Sequence, residues 1–257
     1  MFKNLGVQLY TIRDYLKDPE IADVAFAKLA RLGYTEMHTA ESYDFDRKLL
    51  CELLTKHGIR IIGSHYSLDE ILNNPEKTME IHRMWGTTNV GIGGAAKTKI
   101  EDLNAFIKDF NRAAEIYGKE GFRLTYHHHH YEFARIDGLR NSMEILFDEL
   151  DPVNTSFVAD TCWLAAGGAD VCSWLYRLKG RIDILHLKDL TLKRNEAGYL
   201  LPYITEVGNG NLTFDPIMKV AEEIGVKHYV VEQDGNFTKT PFESLRMSAE
   251  FLAKYMA

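Results

Sequence analysis

The chemistry-bearing residues of this chain gather first in residues 123–137, RLTYHHHHYEFARID. An apolar-alternating run ends at Tyr126, four histidines follow (His127, His128, His129, His130), and a carboxylate, Glu132, closes the tract. The run lies mid-chain behind a strand pattern, unlike a terminal tag, and histidine-rich tracts bind metal where geometry allows. Adjacent strand residues point to opposite faces, so His127 and His129 share one direction and His128 and His130 the other. At most half of the run therefore faces one site, and the other rings brace the loop by hydrogen bonding.

These side chains need elements to aim them, and the chain supplies a regular alternation. Strand patterns occupy residues 5–10, 34–38, 59–65, 89–92, 122–127, 155–160, 182–187 and 227–232. Helical patterns occupy 19–32, 46–57, 75–85, 100–120, 141–150, 171–178, 214–224 and 241–255. The first of these places Ile21, Val24, Ala25 and Leu29 at helical spacing and stops at Gly33; Gly58, Gly121 and Gly225 end three others. Repeated β-α alternation implies parallel strands with helical crossovers. Eight such units in about 250 residues fit the α/β class as a single (β/α)8 TIM barrel, one domain over residues 1–257. A doubly wound open sheet is the alternative, but Thr11, Ile12, Arg13 and Asp14 follow the first strand where such a sheet carries a glycine-rich phosphate turn.

Polar residues stand at the strand ends: His38, His65, His127, Asp160, His186 and Glu232. In a barrel enzyme such residues converge on the C-terminal face, where the active site lies. Carboxylates gathered in one cavity repel, and a divalent cation relieves that cost. Mixed carboxylate and imidazole ligands suit Mn, Co, Zn or Fe better than Ca.

Composition excludes other classes. A formal charge of −7 argues against a general nucleic-acid surface. Cys51, Cys162 and Cys172 lack paired or metal-site spacing and read as reduced thiols of a cytoplasmic protein. No apolar leader core opens the chain and no run reaches membrane-spanning length, so no membrane partner is expected. A homo-oligomer is left open.

Residues 126–133 (YHHHHYEF), with Asp160-Thr-Cys-Trp163, His186-Leu-Lys-Asp189, Glu232-Gln-Asp234, the opening LGVQLYTIRD and the loop EVGNG of residues 206–210, resemble the sugar phosphate isomerase/epimerase group of xylose isomerase-like barrels. The resemblance covers essentially the whole chain. It implies one divalent metal ion (Mn, Co, Zn, Mg or Fe) held by Glu132, Asp160, His186 and Glu232, with His127 or His129 as the alternative to Glu132. It also implies that Glu132 and Glu232 exchange protons with a small carbohydrate. Endonuclease IV-like repair enzymes share the superfamily, but Trp163 stands where they carry a zinc-binding histidine.

The implied chemistry is proton transfer beside a carbonyl through an enediolate stabilised by the metal. Return of the proton to the neighbouring carbon is isomerisation, and return to the other face is epimerisation. Expulsion of a β-hydroxyl is dehydration, as in the inosose dehydratase-like members of the group. The expectation is an isomerase or epimerase, with such a lyase or a keto-sugar lyase or hydrolase as the alternative. A nuclease and a non-catalytic carbohydrate-binding barrel stand behind both.

Lys188, two residues past His186, is a candidate to stabilise an oxyanion. His65, His127 and His129 are candidates to bind substrate, and Trp163 to wall a sugar face. Gly208 and Gly210 read as turn formers. Gln8, Tyr10 and His38 read as floor residues without an assigned role. No phosphate-cradling glycine loop is present, since GIGG at 91–94 lacks the spacing, so a free sugar or keto-sugar is as fitting as a phosphate ester.

Overall fold

The computed structural model describes residues 1–257. Eight parallel strands form a nearly closed TIM barrel with helices between them. In chain order the barrel strands are Leu5–Gln8, Tyr34–Ala40, Arg60–His65, Asn89–Ile92, Arg123–His127, Thr155–Asp160, Ile182–Leu187 and His228–Val231. The eighth pairs with both the first and the seventh. The seam lies between the third and fourth strands. There Tyr66 N–H donates to the Gly91 carbonyl at 2.7 Å, and Thr87 and Asn89 side chains donate to the Ile62 carbonyl at 2.8 and 3.1 Å. No helix is long and apolar enough to cross a membrane.

The core has two parts. Fifty-six buried apolar residues fill the space between sheet and helices. Ile62, Val158, Ile184 and Val230, on the third, sixth, seventh and eighth strands, form a separate buried cluster. This is how a barrel interior fills, with branched side chains from several strands meeting in layers.

The elements differ from expectation in a few places, each with a local cause. The first strand ends at Gln8, and residues 9–15 wind into 3-10 turns whose start accepts a Tyr10 N–H on the Gln8 side chain. In the first helix, Pro19–Arg31, Ala22, Ala25, Phe26 and Leu29 are the buried stripe, while Ile21 and Val24 are about half exposed. Two helices and a hairpin were not expected. Leu68–Asn73 is a helix capped by Ser67, and Thr161–Ala166 is a helix capped by Asp160. Asp189–Arg194 and Leu200–Thr205 pair as an antiparallel hairpin.

Gly91 sits where the seam is tightest. A Cβ there would lie 2.7 Å from the Ser64 carbonyl oxygen and against the Thr125 hydroxyl. Gly91→Ala is therefore expected to lower stability by about 1–3 kcal/mol, the usual cost of overpacking. Chemical denaturation checks this, and an unchanged midpoint would mean that the seam is not held as described.

Candidate active site

Each site residue is placed by a strand end. His127, Asp160 and His186 are the last or next-to-last residues of the fifth, sixth and seventh barrel strands, and Glu232 follows the eighth. The Glu232 N–H bonds the Leu187 carbonyl at 3.2 Å, so the strand pairing carries on to it. These four side chains bring one ligand atom each within 4.8 Å of one another, and all four are buried.

The donor set fits a divalent ion. It offers two carboxylates and two imidazoles, the mixture that transition metals favour. Both ring nitrogens of His127 and Oδ2 of Asp160 are buried without a hydrogen-bond partner. His127 Nε2 stands 3.6 Å from Asp160 and 4.0 Å from Glu232. Unpaired polar atoms in an interior cost about 1–3 kcal/mol each, and a cation shared by one His127 nitrogen and the Asp160 carboxylate would relieve part of that cost. Burial, reinforced by the neighbouring imidazoles, pushes the pKa of His127 well below the ordinary histidine value, so its ring is neutral and free to coordinate.

Lys188 joins this group. Its side chain is 1% exposed. Nζ lies 3.0 Å from Asp160 Oδ2, 2.9 Å from Glu232 Oε2 and 2.9 Å from Asp234 Oδ2. Burial opposes the ammonium charge, but Asp160, Glu232 and Asp234 outweigh it and hold the pKa well above the ordinary lysine value. For Glu232 burial likewise opposes charge, and the Lys188 charge with the His186 hydrogen bond overcomes it, keeping the carboxylate ionised. Burial and then the Glu232 charge push Asp234 up to about 6. The Lys188 backbone is braced by the Thr161 hydroxyl, which donates to its carbonyl at 2.6 Å and accepts from its N–H at 3.0 Å. The adjoining Asp189 carboxylate accepts the N–H groups of Gly208, Gly210 and Leu212 at 3.0, 3.0 and 3.2 Å. Gly208 takes a left-handed φ of +91° there, so both glycines shape a turn around a buried anion.

Glu132 stands outside the ligand group. Its Oε1 accepts the Tyr126 hydroxyl at 2.6 Å and its Oε2 accepts the His129 N–H at 2.8 Å. It closes the first turn of the 3-10 segment His130–Phe133. Burial pushes its pKa up to about 7, although those two donors oppose the rise. His127 occupies the position in the cluster for which the sequence reading named Glu132 first and His127 or His129 as the alternative.

The remaining candidates line the same region. His65 is half-buried, its ring 4.4 Å from His38 and 5.0 Å from His127 between centroids. His129 bonds the Tyr131 hydroxyl through Nδ1 at 2.8 Å. The Trp163 ring lies 5.5 Å from His129, 5.1 Å from His130 and 4.7 Å from Lys188 Nζ, and its buried indole nitrogen has no partner. His128 does the bracing, accepting the Asp160 N–H on Nε2 at 3.1 Å. The alternation along the run ends at His129, because the 3-10 turn brings His130 back beside Trp163.

One residue was missed as a participant, and another was named without a role. Asp234 lies two beyond Glu232, as Lys188 lies two beyond His186, and that spacing was the signal available. His38 carried no role, yet its Nδ1 meets His186 Nε2 at 2.8 Å. A surface cavity of about 920 Å³ between Glu41–Lys48 and Glu70–Met84 includes none of the four ligand-group residues.

Residues 26–255 match the xylose isomerase-like TIM barrel family. An inosose dehydratase of Geobacillus thermodenitrificans is 24% identical over 88% of this chain and 87% of its own length. One of Mesomycoplasma hyopneumoniae is 26% identical over 75% of this chain and 67% of its own length. A crystal structure of a sugar phosphate isomerase/epimerase from Parabacteroides distasonis superposes with a TM-score of 0.80 at 25% identity, covering 98% of this chain and 94% of that one. A D-allulose 3-epimerase from Methylomonas sp. shares the fold, with a TM-score of 0.71 at 13% identity over 99% and 98% of the two chains.

Proposed function

We propose that this chain, which belongs to the xylose isomerase-like TIM barrel family, is a lyase that removes water from a small keto-polyol such as an inosose. The observation that carries this reading is the 2.9 Å contact between Lys188 and Glu232 inside the ligand group. An acid and a base stand side by side there, as elimination of water requires. His127, Asp160, His186 and Glu232 are the residues that would hold a divalent ion. Such an ion polarises the substrate carbonyl and acidifies the adjacent C–H.

The chain's own groups then account for the atoms. Glu232 takes the proton from the carbon next to the carbonyl, and the electron pair of that bond becomes the new C=C bond. The β C–O bond breaks, and the departing oxygen takes a proton from Lys188 Nζ and leaves as water. The proton on Glu232 returns across 2.9 Å to Lys188, restoring both groups. Trp163 supplies an apolar wall, and its unpartnered indole N–H is a donor for a substrate hydroxyl. His127 and His129 present their rings to the same space. An epimerase or isomerase, the first expectation from sequence, would use a second carboxylate on the opposite face. Glu132, the residue named for that role, is instead tied to Tyr126 and the His129 backbone. The names of the inosose dehydratase relatives support the same choice.

The test is incubation with an inosose and Mn or Co, followed by mass spectrometry. The expected product has lost one water. A product that has lost no water, and that carries deuterium when the incubation is run in deuterated water, would replace the lyase with an epimerase or isomerase.

A further inference from the structure

We propose that His38, His65 and His186 form a second divalent-cation site, made only of imidazoles, which shares His186 with the carboxylate-bearing group. The three histidines come from the second, third and seventh strand ends, and one ring nitrogen of each lies within 4.8 Å of the others. His38 and His186 are fully buried. Nε2 of His38 and Nε2 of His65 are buried without a hydrogen-bond partner. A histidine kept only for packing or bracing pairs its nitrogens, as His82 does with Ser64 at 2.8 Å and the Thr78 carbonyl at 2.7 Å. The orphaned pair needs another reason, and coordination supplies one.

The backbone makes room for the arrangement. Gly63 lies on the third strand, and a Cβ there would stand 3.2 Å from Cδ2 and Nε2 of His38 and 3.1 Å from Ile184. His186 faces both groups, since Nδ1 meets Glu232 at 2.8 Å and Nε2 meets His38 at 2.8 Å. The ion that suits three imidazoles without a carboxylate is Zn, Cu, Ni or Co; Mg and Ca favour oxygen. With both sites filled through one ring, His186 gives up its remaining N–H proton, so the second ion enters with proton release. Two like charges joined by one imidazole repel, and the second ion binds more weakly than the first.

The inference rests on the ligand set proposed above only through His186. Its test is a zinc titration of the full chain, read as bound zinc by elemental analysis after equilibrium dialysis. The wild type is expected to reach about two ions per chain, with a tight first step and a weak second. His65→Ala, at a half-buried position, and His38→Asn are each expected to stop at about one ion. Asp160→Ala is expected to lose the tight step and keep the weak one. A wild type that stops at one ion, or a His65→Ala variant that still reaches two, overturns the second site and leaves the first standing. A wild type that binds none overturns both.

Discussion

Lys188→Met is expected to lower turnover by at least ~10²-fold, the lower range for loss of a general acid, and to destabilise the ion-free protein by about 3–5 kcal/mol. Lys188 is 1% exposed and lies within 3.0 Å of three carboxylates, Asp160, Glu232 and Asp234. Removing the ammonium leaves those carboxylates crowded in a buried space, and breaking a buried ion group is costly because a desolvated charge loses its partner. The size of Met approximates the alkyl stem, so little of the effect comes from a cavity. A divalent ion added back supplies positive charge to Asp160 and Glu232. Much of the lost stability is therefore expected to return with the ion, while turnover does not return, since Met has no proton to give the departing hydroxyl. Thermal unfolding with chelator and with excess ion, alongside steady-state rates, separates the two effects. A variant as stable as the wild type in chelator would show that the three carboxylates do not depend on Lys188.

Glu232→Gln is expected to reduce turnover by at least ~10²-fold, whereas Glu132→Gln is expected to keep its bound ion and lose less. Glu232 is ionised and contacts both Lys188 and His186, at 2.9 and 2.8 Å. Gln keeps its size and one oxygen but loses its basicity. Glu132 is engaged by Tyr126 and the His129 backbone, and a Gln there retains an acceptor for one of these donors. Its loss is expected to loosen the histidine loop rather than the chemistry, raising KM more than it lowers kcat. Ion content is measured beside the rates, because Gln is also the weaker ligand. Equal loss of kcat in both variants with full ion content would put Glu132 back among the proton-transfer groups.

Much of this site was legible in the sequence because a barrel turns strand ends into a mouth. His38, His65, His127, Asp160, His186 and Glu232 were found by asking what stands at each strand's end, and all six belong to the two imidazole and carboxylate groups. Glu132 was harder. It lies five residues beyond its strand, and nothing in the spacing told that the Tyr126 hydroxyl would take its carboxylate. A contact of that kind depends on the 3-10 turn of His130–Phe133, which is set by tertiary packing. The hairpin after Lys188 was missed because Leu192, Leu200 and Leu201 are about half exposed and give no buried face to read. The helix Thr161–Ala166 has six residues, too few for a helical period to stand out. The first helix shows the same limit: Ile21 and Val24 were apolar and in step, yet Ala22 and Phe26 carry the buried stripe.

The central claim is that Glu232 removes a proton from the carbon beside a substrate carbonyl. The direct measurement is nuclear magnetic resonance of a keto-polyol, an inosose first, incubated in deuterated water with the ion-loaded protein. Where the proton on Glu232 exchanges with solvent before water departs, deuterium enters the remaining substrate at that carbon; where departure is faster, the same carbon shows a primary isotope effect when it is deuterated beforehand. The expected result is one of these two signatures in the wild type and its loss in ion-loaded Glu232→Gln. Either signature undiminished in ion-loaded Glu232→Gln would contradict the assignment.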